Sequence, residues 1–106
     1  MGDAGDRRQE ALGWARSARD TRHGVRRALS SGSTDLDGVL RSAELDPFLG
    51  AVRVLWVLES LPGARKTDTR RALARLAIDG GLPLAALTDA QRGALRTQFG
   101  PAAVTA

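Results

Sequence analysis

The apolar positions of this chain form one unbroken cluster and several thin, helix-spaced stripes. Val54, Leu55, Trp56, Val57 and Leu58 follow one another with no polar residue between them. A segment apolar on nearly every side predicts a buried central helix, here over about 52–61. Leu61-Pro62-Gly63 forces a turn, and a further helix is expected from about Thr67, with Thr69, Ala72, Leu73, Leu76 and Ala77 facing inward. Upstream, only Gly13 and Gly24 interrupt good helix formers between Arg7 and about Ser30. Leu12, Ala15, Ala18, Val25 and Leu29 make a thin stripe along that stretch, so this helix is expected to pack only in part on the body and to fray at its start. Leu36, Val39 and Leu40, at i, i+3 and i+4, give a short second helix its inner face.

The polar punctuation agrees with helices. Ser30-Ser31-Gly32-Ser33 reads as a turn, with Ser33 or Thr34 as the cap of the second helix and Asp35 and Asp37 near its positive end. Asp46-Pro47 reads as an N-cap followed by a proline at the first helical position, opening a short piece through Phe48 and Leu49. Ile78 to Pro83 is a loop. Thr88-Asp89-Ala90-Gln91 matches a capping box ahead of Leu95 and Phe99, and Gly100-Pro101 stops that last helix. Strand alternation, internal repeats and coiled-coil heptads are absent from the pattern. The expectation is an all-α chain of five or six helices: a tail over 1–6, a single domain over 7–100 that opens with a basic helix at 7–31, and a tail over 101–106. A chain of 106 residues has room for one modest core.

Charge changes this picture more than composition does. The net charge is +4, and it is unevenly placed. Residues 11–29 hold five arginines against Asp20, and residues 63–75 hold four arginines and Lys66 against Asp68. Between them, 30–62 carries Asp35, Asp37, Glu44, Asp46 and Glu59 against Arg41 and Arg53. Two basic blocks around an acidic middle fit a nucleic-acid footprint, although a solvated helical surface rich in arginine gives the same count. The chain has no cysteine, which excludes disulfides and thiolate metal sites. Its longest apolar run falls well short of the roughly 20 residues of a membrane helix, and the acidic start Asp3-Ala4-Gly5-Asp6 is unlike a secretory signal. A cytoplasmic protein with no membrane partner is expected.

Candidate chemistry is mostly that of anion binding. The single histidine, His23, lies in the Arg-rich helix without an evident carboxylate or nucleophile, so a surface role is expected for it rather than catalysis. No phosphate-loop or dinucleotide fingerprint occurs, and the carboxylates are spaced as caps rather than as a metal site. No enzyme activity, cofactor or metal is expected. By contrast, Leu61-Pro62-Gly63-Ala64-Arg65-Lys66 has a mechanism. A glycine turn into a helix leaves backbone N–H groups pointing outward at the positive end of the dipole. Arg65 and Lys66 add full charges there, and Thr67, Arg70 and Arg71 follow on the next helix. Arg16, Arg19, Arg26 and Arg27 make a second basic surface. Trp14 and Trp56 occupy apolar positions and are expected in the core. No set of base-reading residues stands out, which favours contacts to the backbone of a polyanion.

Val57-Leu58-Glu59-Ser60-Leu61-Pro62-Gly63 with Lys66, the Ser30–Leu40 segment and the closing T-D-A-Q-R-G-A-L-R-T-Q-F-G together resemble the actinobacterial integration host factor family, over roughly Arg7 to Phe99. The second half is also similar to the helix-two-turns-helix module of ribosomal protein S13. The resemblance implies a long N-terminal helix plus a compact bundle with a helix-two-turns-helix body over 52–100. It further implies a nucleoid-associated protein gripping double-stranded DNA by its backbone, with little sequence preference and some bending. The family's turn lysine falls on Lys66 and its turn backbone on Gly63 to Arg65. Two positions depart from the family: its second turn glycine is Arg65 here, and its Arg-rich loop before the last helix is replaced by Leu82-Pro83-Leu84-Ala85-Ala86-Leu87. DNA binding is therefore expected to be weaker or differently arranged. Two other readings remain at this level. The apolar 82–87 loop, if exposed, would suit a protein partner, and the S13-like module would suit structured RNA.

Overall fold

The computed structural model describes residues 3–100, which form six α-helices and one 3-10 turn. The first, α1 (Asp3–Ser31), has 29 residues and runs roughly 43 Å at the usual helical rise. It begins at Asp3 rather than Arg7, so residues 3–6, expected as tail, are helical; the tail expected over 101–106 lies outside the described residues. Leu29 is buried and Val25 and Ala18 are partly covered, but Leu12 stays 59% exposed. At 100° per residue Leu12 lies about 120° away from the Ala18–Val25–Leu29 row, so the expected stripe was drawn too wide. Trp14 does the holding there instead. Its ring meets Phe48 at 4.3 Å between centroids, yet 57% of it remains exposed, so it is not the core residue expected.

The short elements are set by their caps. In α2 (Leu36–Ala43) the cap is Asp35, not Ser33 or Thr34: its carboxylate accepts from the Gly38 N–H at 2.8 Å. Asp46 accepts from the Phe48 and Leu49 N–H groups and opens the single turn α3 (Pro47–Gly50), with proline at its first position as expected. The apolar run becomes α4 (Val54–Glu59) and the basic segment α5 (Lys66–Leu76). After the 3-10 turn Leu84–Ala86 comes α6 (Asp89–Phe99), whose capping box is complete: the Gln91 N–H donates to Thr88 Oγ1 and the Thr88 N–H to Gln91 Oε1.

The core wraps α4. Val54, Val57 and Leu58 are at most 1% exposed, and Leu29, Leu40, Leu73, Leu84 and Leu95 close around them. The entry to α4 is held by an antiparallel clasp in which the Val54 N–H donates to Leu82 and the Leu84 N–H to Val52, both at 2.9 Å. The clasp settles a point the sequence left open. The 82–87 segment is not an exposed apolar patch, because Leu84 and Leu87 are buried at 2% and 4% and Leu82 is partly covered. Its leucines are turned into the core, while Ala85 and Ala86 stay exposed.

Part of the acidic middle of the sequence is spent on contacts within the fold. Asp37 of α2 accepts from Arg96 of α6 at 2.6 Å and pairs with Arg41 at 3.0 Å. Glu44 and Asp89 both face Arg92. At its other end, α5 terminates with Ala77 in the left-handed region (φ 56°, ψ 38°), and the Ile78 N–H reaches back to the Leu73 carbonyl at 3.0 Å. This termination normally uses glycine, so Ala77 is not an inward apolar residue of the helix but a strained and exposed cap. Ala77→Gly should raise stability by about 1 kcal/mol, or about 4–8 °C in Tm for a domain of this size. A melting curve followed by circular dichroism reads this, and an unchanged or lower Tm would refute the strain.

Candidate nucleic-acid interface

The turn between α4 and α5 is built by its sequence. Pro62 fixes its own φ, Gly63 takes φ +77°, and the Ala64 N–H donates to the Leu61 carbonyl at 3.1 Å. Proline followed by a positive-φ glycine is the signature of a type II turn. Because Gly63 absorbs the left-handed conformation, Arg65 sits in ordinary extended backbone (φ −113°, ψ 126°) as the N-cap of α5. Arginine at this position therefore costs no strain. Its side chain makes no capping hydrogen bond, so the first N–H groups of α5 are left open at the positive end of the helix dipole.

Gly63, Ala64 and Arg65 line one cleft of about 370 Å³ together with Asp68, Thr69 and Arg75. Asp68 puts one opposing charge in its mouth, so the cleft is cationic only in balance. Lys66 and Arg70, four residues apart, share one exposed flank of α5, whereas Arg71 and Arg75 share the other. Thr67 is exposed in the first turn, while Thr69, Ala72 and Leu73 face the core as expected. The structure thus brings Gly63, Ala64 and Arg65 together at the start of α5 with Lys66 beside them, while Arg70 and Arg71 lie further along the helix on opposite flanks.

The α1 arginines form a different surface. Arg19 and Arg26 line a recess of about 170 Å³ with Arg22, His23 and Trp56. Arg27 lies on another shallow groove with Gly24 and Ser31, and Arg16 is exposed one turn outward from Arg19. Trp56 is half-buried rather than core, with the Arg26 guanidinium carbon 4.8 Å from its ring centroid. Arg22 and Trp56 were not singled out from the sequence as part of this surface. The i, i+3, i+7 spacing of Arg19, Arg22 and Arg26 carried the signal for one of them; nothing local tied Trp56, thirty residues on, to the same place.

Residues 29–99 match the S13-like H2TH domain. Over 97 residues the chain is 37% identical to the integration host factor of Mycobacterium tuberculosis, covering 92% of each protein. It is 36% identical to that of Mycolicibacterium smegmatis over 94 residues, which is 89% of this chain and 90% of the relative. The chain belongs to the actinobacterial integration host factor family. A solved structure of sIHF bound to an 8-base-pair palindromic DNA superposes with a TM-score of 0.75 at 29% identity, covering 81% of this chain and 97% of that one. The chain has the expected all-α fold with a long first helix and the S13-like body. Among the described residues no helix is long and apolar enough to cross a membrane.

The turn itself can be tested directly. Space around Gly63 is open, so only its conformation resists a side chain. Gly63→Ala should cost about 1–2 kcal/mol, seen as a lower urea midpoint at unchanged slope. An unaltered midpoint would mean that the turn relaxes freely.

Proposed function

We propose that this protein is a nucleoid-associated factor that binds double-stranded DNA through backbone phosphates with little sequence preference, and that it bends or compacts the duplex. The observation that carries the reading is the uncapped start of α5, with its open N–H groups beside Arg65 and Lys66. A phosphate at that point meets dipole, N–H donors and full charges together. Gly63, Ala64 and Thr67 supply the close backbone, Arg70 and Arg71 extend the contact along α5, and Arg16, Arg19, Arg26 and Arg27 add a second surface on α1. The DNA in the related sIHF structure supports this assignment by family.

One feature favours backbone contact over base readout. The cations are arginines and a lysine on exposed helix faces, with no cluster of Asn or Gln to pair with base edges. At 82–87, where the family resemblance implies an Arg-rich loop, Leu84 and Leu87 are clasped into the core instead, so cationic contacts on that side are absent. Affinity is therefore expected to be lower than with such a loop in place, since fewer phosphate contacts mean fewer counterions released.

Two unrelated short duplexes titrated across a salt series should bind with equal affinity that falls steeply as salt rises. Lys66→Ala and Arg70→Ala should each weaken both equally and reduce the logarithmic salt slope by about 1. Loss confined to one sequence would overturn the backbone mechanism. End-to-end distance on a doubly labelled duplex, read at saturation, tests bending, and an undiminished distance would remove it. Structured RNA that competes better than duplex would move the reading to the S13-like alternative.

A further inference from the structure

The chain sorts its cations. Of sixteen Lys and Arg, Arg41, Arg92 and Arg96 are in ion pairs, all at the α2–α6 contact. Among the described residues Arg19, Arg22 and Arg26 have no such partner, although they converge on one recess with His23. Asp20 is adjacent in sequence but points about 100° away around α1 from Arg19. Glu59, three residues after Trp56, makes no ion pair among the described residues either. Three guanidiniums gathered without a carboxylate repel one another, and an anion seated between them removes that cost.

The recess is also preorganised. The Trp56 ring, half-buried in α4, holds Arg26 by a cation–π contact at 4.8 Å, which limits the freedom that binding must otherwise remove. With Arg26 over the ring, the recess presents guanidinium donors and the His23 imidazole instead of a stacking platform. A volume of about 170 Å³ suits one phosphate or diphosphate group and is too small to enclose a nucleoside.

We propose that Arg19, Arg22, His23, Arg26 and Trp56 form a binding site for a phosphate or diphosphate group, separate from the turn at Gly63. The shared chemistry has two sources, a DNA backbone phosphate or a free polyphosphate anion. The first source deepens the proposed function and rests on it, whereas the second stands without it. Arg22 and His23 are thereby given a role, and Trp56 becomes a reporter within the site.

Trp14→Phe leaves Trp56 as the sole indole of the chain. In that background, pyrophosphate and a short DNA duplex are titrated separately while Trp56 emission is followed, with duplex binding also measured by anisotropy. Saturable change with pyrophosphate, weakened about tenfold or more by Arg22→Ala and unmoved by Lys66→Ala, is the expected result. A response to duplex alone also supports the site, with DNA as its ligand; a response to pyrophosphate alone supports it with a free anion as ligand. Duplex binding by anisotropy with Trp56 silent to both ligands would overturn the site and leave the proposed function standing. Absence of duplex binding with a pyrophosphate response would do the reverse. The phosphorus-31 linewidth of pyrophosphate with the unaltered chain repeats the test should Trp14→Phe disturb the fold: broadening abolished by Arg22→Ala supports the site, and no broadening together with duplex binding unweakened by Arg22→Ala refutes it.

Discussion

Burying α4 is the constraint from which the rest of the structure follows. A helix of six residues has no stability of its own in water, and one apolar on nearly every side has no face to give to solvent. It persists because other elements enclose it: α1 and α2 supply Leu29 and Leu40, α5 and α6 supply Leu73 and Leu95, and the 82–87 segment supplies Leu84. The clasp between Val52–Val54 and Leu82–Leu84 fixes how α4 enters that enclosure. Once α4 is central, the turn that leaves it must emerge at the surface, and α5 must begin there.

The same enclosure decides where charge can go. Carboxylates on α2 meet arginines on α6 and tie the two helices together over the core. Partly exposed pairs of this kind contribute about 1 kcal/mol or less each, so their effect is as much on register as on stability. What is left over is the cationic rim of α1 and α5. That unpaired charge faces solvent, on the surfaces proposed above to meet a polyanion. Its arrangement follows from the packing rather than from any dedicated binding element.

Much of this was legible in the sequence where the signal is local. The capping box at Thr88–Gln91, the Asp46-Pro47 helix start, the Pro62-Gly63 turn and the apolar run of α4 all depend on neighbours within four residues, and all stand where the pattern placed them. What was misread or left open depends on distant partners. Whether Leu84 and Leu87 were exposed or buried stayed open because nothing near them announces the clasp to Val52, thirty-two positions upstream. Trp14 looked like core because apolarity does not tell a residue lying on the surface over Phe48 from one beneath it. Ala77 continued the inward spacing of α5, and only the reversal of the chain into Ile78 demanded a left-handed residue there. The recess at Trp56 was half-legible: the arginine spacing was on the page, the indole that joins it was not.

The unpaired arginines of α1 couple the protein's endurance to its surroundings. Like charges held along one helix oppose the folded state, and dissolved ions mute that opposition. The free chain is thus steadied by the same ionic strength that loosens its hold on a polyanion. A bound polyanion in turn stabilises the fold by mass action, taking over at low ionic strength the part that dissolved ions play at high. The two protections alternate, so neither condition leaves the cationic helix unsupported.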